Sequence, residues 1–265
     1  MEKLTAIIPT FNEEHNIVDA IKAVDFADEI IVVDSFSTDK TVELATPLAT
    51  KIIQREYENS ASQKNWAIPQ AKYKWILLLD ADERVPTELK EEVIEKLNST
   101  PSESGFWIGR INHFMGKRIR FSGWRRDRVV RLFKRDECSY EPLQVHAEII
   151  SKGKIGALKQ KLMHNTFVSR EEFQQKLIRY ARWQANDYDS KTGTITIYHT
   201  LFKPAVRFLK HFIFQLGIFD GYVGFIISKY QANAVKMRYY YLREMRKNRE
   251  KQLVMCGKPR LVGLS

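Results

Sequence analysis

The sequence predicts an α/β fold in which a mostly parallel sheet carries helices on both faces. Over the first hundred residues, short runs of aliphatic and β-branched residues alternate with segments whose apolar residues recur at helical spacing. The runs are apolar along their whole length, which is typical of parallel strands buried on both sides. Polar and acidic residues follow these runs, at the edge of the sheet where α/β proteins bind their ligands.

The individual elements follow one another in regular order. Residues 4–9 form an apolar run that ends at Pro9, which cannot continue a central strand. Residues 29–34 form a second buried run, and Thr38 or Asp39 can cap the helix that comes after it. Further strands are predicted at 51–55 and 75–79, and helices are predicted at 14–23, 38–44, 60–71 and 86–97.

The composition favours a folded protein in a reducing compartment. Hydrophobic residues make up 44% of the chain and charged residues 28%, which allows a core and argues against wholesale disorder. Two cysteines, Cys138 and Cys256, are too few for a disulfide scaffold. The first residues lack the pattern of a secretory signal, and charge-free apolar stretches stay shorter than the roughly 18 residues of a membrane span. We therefore expect a cytoplasmic protein.

Positive charge is concentrated in two parts of the chain. The net charge is +11, and residues 201–265 carry 13 Lys or Arg against three Asp or Glu. A second cluster occupies 117–135, where basic residues surround the single acid Asp127. Such fields attract phosphorylated substrates, anionic lipid head groups or nucleic acid.

The ends of the predicted strands carry carboxylates where many nucleotide-binding proteins carry glycines. The first glycine of the chain is Gly105, which excludes the glycine-rich fingerprints that follow the first strand of dinucleotide-binding and P-loop proteins. Asp80 and Asp82 follow the fourth strand and face one side of an extended chain. Because Mg²⁺ and Mn²⁺ prefer one or two carboxylates together with substrate phosphates, this pair predicts metal-assisted nucleotide binding.

Four motifs follow the predicted strands in order. They are Ile8-Pro9-Thr10-Phe11-Asn12-Glu13-Glu14, Val32-Val33-Asp34-Ser35-Phe36-Ser37-Thr38-Asp39-Lys40-Thr41, Gln63-Lys64-Asn65-Trp66-Ala67 and Leu79-Asp80-Ala81-Asp82-Glu83. Together these motifs resemble the family two glycosyltransferases, which have the GT-A (Rossmann-like) fold. Three later segments resemble the subgroup that includes lipopolysaccharide core β-glucosyltransferases: Gly123-Trp124, Arg131-Leu132-Phe133-Lys134-Arg135 and Val145-His146.

The resemblance implies a nucleotide-sugar site with a divalent cation. Asp82 is expected to bind the Mg²⁺ or Mn²⁺ that bridges the diphosphate, where a cation stabilises the charge of the leaving group. The transfer is expected to invert the sugar in a single displacement. The other residues that the resemblance places around the donor are Pro9, Thr10, Asn12 and Glu13 at the nucleotide, Asp34 at the base or ribose, Lys64 beside the base and phosphates, and Asp80 at the ribose or sugar.

The acceptor hydroxyl must lose a proton, which requires a positioned base. Two carboxylates are open candidates: Asp127, the single acid of the basic cluster, and Glu148, which has His146 close by in the sequence. Arg131 and His146 are predicted to bind the acceptor, because the planar fork of arginine suits the phosphates of an anionic glycolipid.

This interpretation divides the chain into three regions. Residues 1–100 form the nucleotide-sugar-binding half, 101–165 the acceptor-binding half with mixed strands, and 166–265 a basic amphipathic helical tail. Apolar and basic residues from 201 onward recur on different helical faces, which is typical of helices that lie in a lipid interface. We therefore expect 201–250 to associate peripherally with the inner face of the cytoplasmic membrane; packing on the protein's own domain or on a second subunit is the alternative.

The predicted function is metal-dependent transfer of a hexose, with glucose favoured, from a UDP-sugar to an anionic glycolipid such as the lipopolysaccharide inner core. The alternative hypothesis is a non-catalytic basic protein that binds membranes or nucleic acid on a transferase scaffold and tolerates loss of Asp82. The main hypothesis includes no nucleic acid partner, because the aromatic residues of the tail lie on an apolar helical face and show no RNA-binding strand motif.

Overall fold

The computed structural model describes residues 2–143, 147–167 and 169–255, which form two compact units. The first unit consists of 1–113 and 126–166, and the second consists of 114–125 and the chain from 167 onward. The first unit contains all four sequence motifs, whereas the second is mainly helical.

The first unit is built on one continuous sheet. Its strands follow the spatial order β3-β2-β1-β4-β8-β6-β11-β5. The pairs β1–β2, β2–β3 and β1–β4 are parallel, and β8 pairs antiparallel with both β4 and β6. The bounds of these strands are β1 Leu4–Thr10, β2 Glu29–Asp34, β3 Lys51–Gln54, β4 Trp75–Leu78, β5 Glu83–Arg84, β6 Gly105–Phe114, β8 Arg128–Lys134 and β11 Ile155–Phe167, and the short strands β7 Lys117–Arg118, β9 Cys138–Tyr140 and β10 Ile149–Ser151 lie between them in the sequence.

Helices cover both faces of this sheet, which confirms the predicted α/β fold. Alternate residues of the central strands point to opposite sides: Ile8 and Leu77 belong to one buried cluster, whereas Ile7 and Ile76 belong to another. Helices α1 (Ile17–Lys22) and α4 (Thr87–Asn98) contribute to the first cluster, and α3 (Ser60–Ala67) contributes to the second. Helix α2 (Thr41–Ala45) connects β2 to β3. The α3 helix is shorter than predicted because a 3-10 turn that contains Pro69 follows it.

The second unit is a set of packed helices together with the segment 114–125. Its helices are α5 (Arg170–Asp189), α6 (Lys203–Leu209) and α7 (Gly221–Met255). Phe114 and Ile119 lie in one buried cluster with Phe173 of α5 and Ile227 of α7, which explains why 114–125 belongs to this unit. The structure thereby divides the basic cluster 117–135 between the two units.

The interior of the second unit includes part of the aromatic face that the sequence suggested for a lipid interface. Tyr239 is 1% exposed, and its ring packs against the rings of Tyr188 and His199. Within the described ranges, none of the helices is by itself long and apolar enough to cross a membrane. The helical pair Tyr198–Phe214 and Gly217–Gln252, bent by 72°, meets that criterion when both parts are taken together.

Candidate active site at the carboxyl edge of the sheet

The first two motif segments meet because they follow β1 and β2, which are parallel neighbours. Thr10, the last residue of β1, is paired in register with Asp34, the last residue of β2. The loops that follow these strands are joined by hydrogen bonds: the Asn12 amide donates to Ser37 Oγ at 2.8 Å, and the Thr38 amide donates to Asn12 Oδ1 at 2.8 Å. The carboxyl ends of β1 and β2 therefore form one polar surface, as the sequence predicts.

Within this surface, most of the predicted nucleotide-binding residues are already held by their neighbours. The Asp34 carboxylate is buried and accepts hydrogen bonds from Ser37 Oγ at 2.5 Å and from Gln54 Nε2 at 2.9 Å. The Glu13 amide donates to Thr41 Oγ1 at 2.7 Å. Pro9 is half-buried, while Thr10 Oγ1 is buried and has no hydrogen-bond partner among the described residues. Their roles at a nucleotide stay predictions.

Phe36 lies between Asp34 and Ser37 in an unusual backbone conformation. Its φ is +60°, in the left-handed region that side chains other than glycine rarely adopt. The family two glycosyltransferases, which the motifs resemble, usually have glycine at this position. Glycine adopts a positive φ without steric cost, which explains that preference. Half of the Phe36 surface is exposed beside the loop that holds Asp34.

Asp80 lies between two cations. Lys64 Nζ is 3.0 Å from Asp80 Oδ1, and the Arg131 guanidinium bonds the other carboxylate oxygen. Burial would raise the pKa of Asp80, but the charges of Arg131 and Lys64 outweigh it and hold that pKa well below its usual range. The structure thus brings together three residues that sequence reasoning placed in separate motifs.

Arg131 is deeply buried, which does not suit its predicted contact with acceptor phosphates. It is 3% exposed, and its Nη2 lies 2.9 Å from Oε1 of the fully buried Glu83. Arg110 Nη1 lies 3.3 Å from the same Glu83 oxygen. Because the Arg131 guanidinium bonds Asp80 and Glu83, we interpret Arg131 as a residue that positions Asp80 rather than one that contacts the acceptor.

Asp127 is joined to these ion pairs through Arg110, and together they form one network. Arg110 donates from Nε to Asp127 Oδ2 at 2.9 Å and from Nη2 to Oδ1 at 2.8 Å, and Asn112 Nδ2 donates to Oδ2 at 2.8 Å. Burial would raise the pKa of Asp127, but the hydrogen bonds and charge of Arg110 lower it below its usual value. A carboxylate held as an anion in this way is a weak proton acceptor.

Asn112 connects Asp127 to a histidine beside the predicted metal ligand. Because the Asn112 amide nitrogen donates to Asp127, its Oδ1 must accept from His164 Nδ1, 2.7 Å away. The other nitrogen, His164 Nε2, lies 3.3 Å from Asp82 Oδ2. Pairing of His164 with Glu83 between β11 and β5 sets this position. In the neutral form of the ring, this hydrogen bond places the proton on Nδ1 and directs the lone pair of Nε2 toward the Asp82 carboxylate.

These two side chains fit a divalent cation. A lone pair on His164 Nε2 that faces a carboxylate oxygen at 3.3 Å is repulsive unless a proton or a cation lies between them. The hydrogen bond to Asn112 is the kind of outer contact that orients metal-binding histidines. The described residues include no group of three or more His, Cys, Asp or Glu side chains arranged around a metal. Two protein ligands are nevertheless enough for a cation whose coordination substrate phosphates complete.

The remaining two predicted residues are not in this network. Glu148 is exposed just before β10, its carbonyl accepts from the Glu141 amide at 2.9 Å, and its own amide donates to the Glu141 carboxylate at 3.3 Å. His146 lies outside the described residues. Sequence reasoning did not single out Glu83, Arg110, Asn112 or His164; Glu83 alone had a signal, since it directly follows Asp82 in the fourth motif.

A continuous set of charged and amide side chains at the end of a parallel sheet is typical of α/β enzymes that bind anionic substrates. A sequence model of glycosyl transferase family 2 matches residues 5–166, and the chain belongs to this family. The match spans all four motifs and the residues of the network from Lys64 to His164.

Several curated proteins are similar over nearly the whole chain. An uncharacterized glycosyltransferase of Rickettsia felis is 29% identical over 259 residues, which cover 92% of this chain and 90% of that protein. The lipopolysaccharide core biosynthesis glycosyltransferase LpsC of Rhizobium meliloti is 28% identical over 231 residues, which cover 84% and 85%.

Solved structures show more distant likeness. The crystal structure of S. aureus TarS 1-349 is 15% identical with a TM-score of 0.45, over 93% of this chain and 92% of that one. Glucosyl-3-phosphoglycerate synthase from Mycobacterium tuberculosis, solved with Mn²⁺ and UDP-glucose, is 18% identical with a TM-score of 0.35, over 42% and 44%.

Proposed function

We propose that this glycosyltransferase moves a hexose, with glucose favoured, from a UDP-sugar to a hydroxyl of an anionic glycolipid such as the lipopolysaccharide inner core. The observation that carries the proposal is the network that joins Lys64, Asp80, Arg131, Glu83, Arg110, Asp127, Asn112, His164 and Asp82. It holds the two aspartates of the fourth motif in fixed positions. The glycolipid acceptor is supported by the similarity to LpsC, whose name assigns it to lipopolysaccharide core biosynthesis.

In this proposal the loops after β1 and β2 hold the nucleoside, and the fourth motif holds the diphosphate and sugar. Asn12 and Asp34 stabilise the two loops through their hydrogen bonds to residues 37 and 38. Lys64 keeps Asp80 ionised and oriented toward the ribose or sugar. Because these side chains already bond one another within the protein, less ordering would be needed when the donor binds.

Asp82 and His164 would hold the Mg²⁺ or Mn²⁺. A bound cation would neutralise the negative charge of the departing diphosphate. The protein's own contribution is to fix the His164 ring: Asp127 orients Asn112, and Asn112 selects the His164 tautomer whose Nε2 faces Asp82.

For the base that accepts the proton of the acceptor hydroxyl, we propose Glu148 rather than Asp127. Glu148 is exposed to solvent, where a bound acceptor could reach it. Asp127 accepts three hydrogen bonds, and its lowered pKa makes it a poor base. Asp127→Asn should weaken metal binding, whereas Glu148→Gln should lower kcat and leave metal affinity unchanged.

The proposal also includes peripheral association with the inner face of the cytoplasmic membrane. The basic charge of residues 201–265 and the apolar character of the segment before α7 support it. An acceptor anchored in lipid would be met at that surface.

The test is calorimetric titration of UDP into the protein with and without Mn²⁺, with Asp82→Ala and Asp25→Ala as variants. Asp25 is a suitable control because it is an exposed aspartate of the same unit, paired with Lys90 at 2.9 Å. We expect Mn²⁺-dependent binding that is lost in Asp82→Ala and kept in Asp25→Ala. Equal binding with and without Mn²⁺, or no binding at all, would refute the metal-dependent transferase and favour the non-catalytic scaffold. Release of sugar from UDP-glucose, compared with UDP-galactose, then identifies the donor.

A further inference from the structure

The segment before α7 exposes an unusually continuous row of large apolar side chains. They recur at helical spacing through a π-helical turn at Tyr198–Phe202 and through α6, so that they share one face. We refer to this face as the apolar stripe. Its residues, each at least 43% exposed, are Ile197, Tyr198, Leu201, Phe202, Val206 and Leu209.

The stripe continues into a sharp bend at 213–222, which we call the elbow. Phe214 is 80% exposed and Phe219 is 71% exposed, and Ile213, Ile218 and Tyr222 are each more than half exposed. The bend is tightly packed, because a Cβ on Gly224 would overlap the Gly217 carbonyl oxygen. The exposed rings therefore project from a bend in which two backbone segments lie in close contact.

Other side chains of α6 and of the turn that follows it make the contacts with α7. Phe208 of α6 and Phe212 in the turn after it pack on Phe225 of α7, with ring centroids 5.8 and 6.0 Å from that of Phe225. The Lys203 ammonium donates to the Tyr239 hydroxyl at 2.8 Å. These side chains are thus already in contact with α7, whereas the residues of the stripe stay exposed.

Basic residues lie beside the elbow. Asp220 accepts from the backbone amides of Arg120 and Phe121, both at 3.0 Å, and from Ser122 Oγ at 2.7 Å. The rings of Phe121 and Phe219 are 5.8 Å apart. These contacts hold the segment 117–125, which we call the basic loop, against the elbow within the second unit. Its side chains Lys117, Arg118, Arg120 and Arg125 are all exposed, as is Lys210 after α6.

We propose that the apolar stripe, the elbow and the basic loop form one docking surface for a bilayer that contains anionic lipids. The surface places exposed rings and aliphatic side chains next to several exposed basic side chains. This arrangement matches a bilayer that has an apolar interior and negatively charged head groups. Asp220 does not oppose this, because its carboxylate caps the basic loop. The inference rests on the proposed membrane association and narrows it: the surface lies at 197–222 and 117–125, and the outer face of α7 is not part of it.

The test is co-sedimentation of the full chain with vesicles of phosphatidylcholine, with and without phosphatidylglycerol. Phe214→Ser/Phe219→Ser removes the elbow rings, and Lys117→Gln/Arg118→Gln removes two charges. Tyr240→Ser is the matched control, because Tyr240 is 53% exposed and lies about 28 Å along α7 from the elbow. UDP binding of each variant reports whether the first unit is intact.

We expect wild type and Tyr240→Ser to bind phosphatidylglycerol vesicles equally. The elbow variant should bind at least about tenfold more weakly, since two phenyl rings no longer enter the interface. The basic-loop variant should bind about 25-fold more weakly to the anionic vesicles only, at about fivefold per charge.

Equal losses in the elbow variant and in Tyr240→Ser, or no loss in either, would overturn the assigned surface and leave membrane association standing. Failure of wild type to bind both kinds of vesicle would overturn membrane association as well. Tighter binding of wild type to an oligonucleotide than to anionic vesicles would replace the bilayer with nucleic acid as the partner. Failure of wild type to bind UDP would count against the proposed transferase activity and not against this docking surface.

Discussion

Replacement of Arg131 by methionine should lower the free energy of unfolding by about 3–5 kcal/mol, because it breaks a buried ion cluster by removing one partner. Arg131 is 3% exposed and Glu83 is fully buried. Among the described residues, Glu83 forms ion pairs with Arg131 and with Arg110. Loss of Arg131 therefore leaves its carboxylate with the Arg110 guanidinium, 3.3 Å away, as its ion-pair partner. Methionine fills much of the volume of the arginine stem, so the loss reports charge more than packing.

Asp80 contributes less to this expected loss than Glu83 does. A third of the Asp80 side chain is exposed, and Lys64 Nζ remains 3.0 Å from its Oδ1 after the substitution. Solvent and Lys64 together compensate for much of the missing guanidinium. The magnitude is therefore set by the buried Glu83, and Glu83→Gln/Arg131→Met should be more stable than Arg131→Met alone.

Urea unfolding followed by circular dichroism measures these differences. Lys90→Met is the control, since Lys90 and Asp25 form an ion pair at 2.9 Å whose side chains are 37% and 66% exposed. This exposed pair should contribute less than about 1 kcal/mol. A loss in Arg131→Met no larger than that in Lys90→Met would refute the assignment of a buried, stabilising cluster.

Three further predictions concern single positions in the first unit. Phe36→Gly should keep or raise the melting temperature, because relief of the left-handed strain, about 1 kcal/mol, offsets the entropic cost of glycine; a clear drop would show that the ring itself stabilises the loop. Because the pKa of Asp127 is lowered from 3.8, its ionised carboxylate stabilises the fold fully at a pH well above 3.8, and this stabilisation is lost as the pH falls through and below 3.8. The difference in unfolding free energy between wild type and Asp127→Asn should therefore shrink below about pH 4. A difference that does not depend on pH would contradict this. Asn112→Leu should weaken Mn²⁺ binding about 10–100-fold, measured by calorimetry in the presence of UDP, because the His164 ring loses the partner that orients it; unchanged affinity would exclude His164 as a ligand that Asn112 positions.

The sequence predicts the parallel half of the sheet well because the signals there are local. Strands such as Glu29–Asp34 are apolar throughout, and the polar residues that follow them must lie at the carboxyl edge once the strands are parallel. Asp80 and Asp82 could be placed at this edge for this reason alone.

The rest of the site could not be predicted, because it depends on pairing between distant strands. Arg110 and Asn112 lie on β6 and His164 lies on β11, and their positions follow from the strand order of the antiparallel part. A histidine or an asparagine in a strand has no local pattern that names its partner. The basic cluster is likewise divided by contacts that the sequence does not show: Arg131 is buried in the first unit, while Lys117 and Arg118 belong to the helical unit.

The register between β5 and β11 has a consequence for how the molecule can be divided. β5 directly follows the fourth motif, and its partner residues Met163 and His164 are among the last of the first unit. A fragment that ends near residue 100 would contain all four motifs, yet Asp80, Asp82 and Glu83 would lack Arg131, His164 and Arg110. During synthesis on the ribosome, this set of ion pairs and hydrogen bonds would likewise stay incomplete until β11 has emerged and paired with β5.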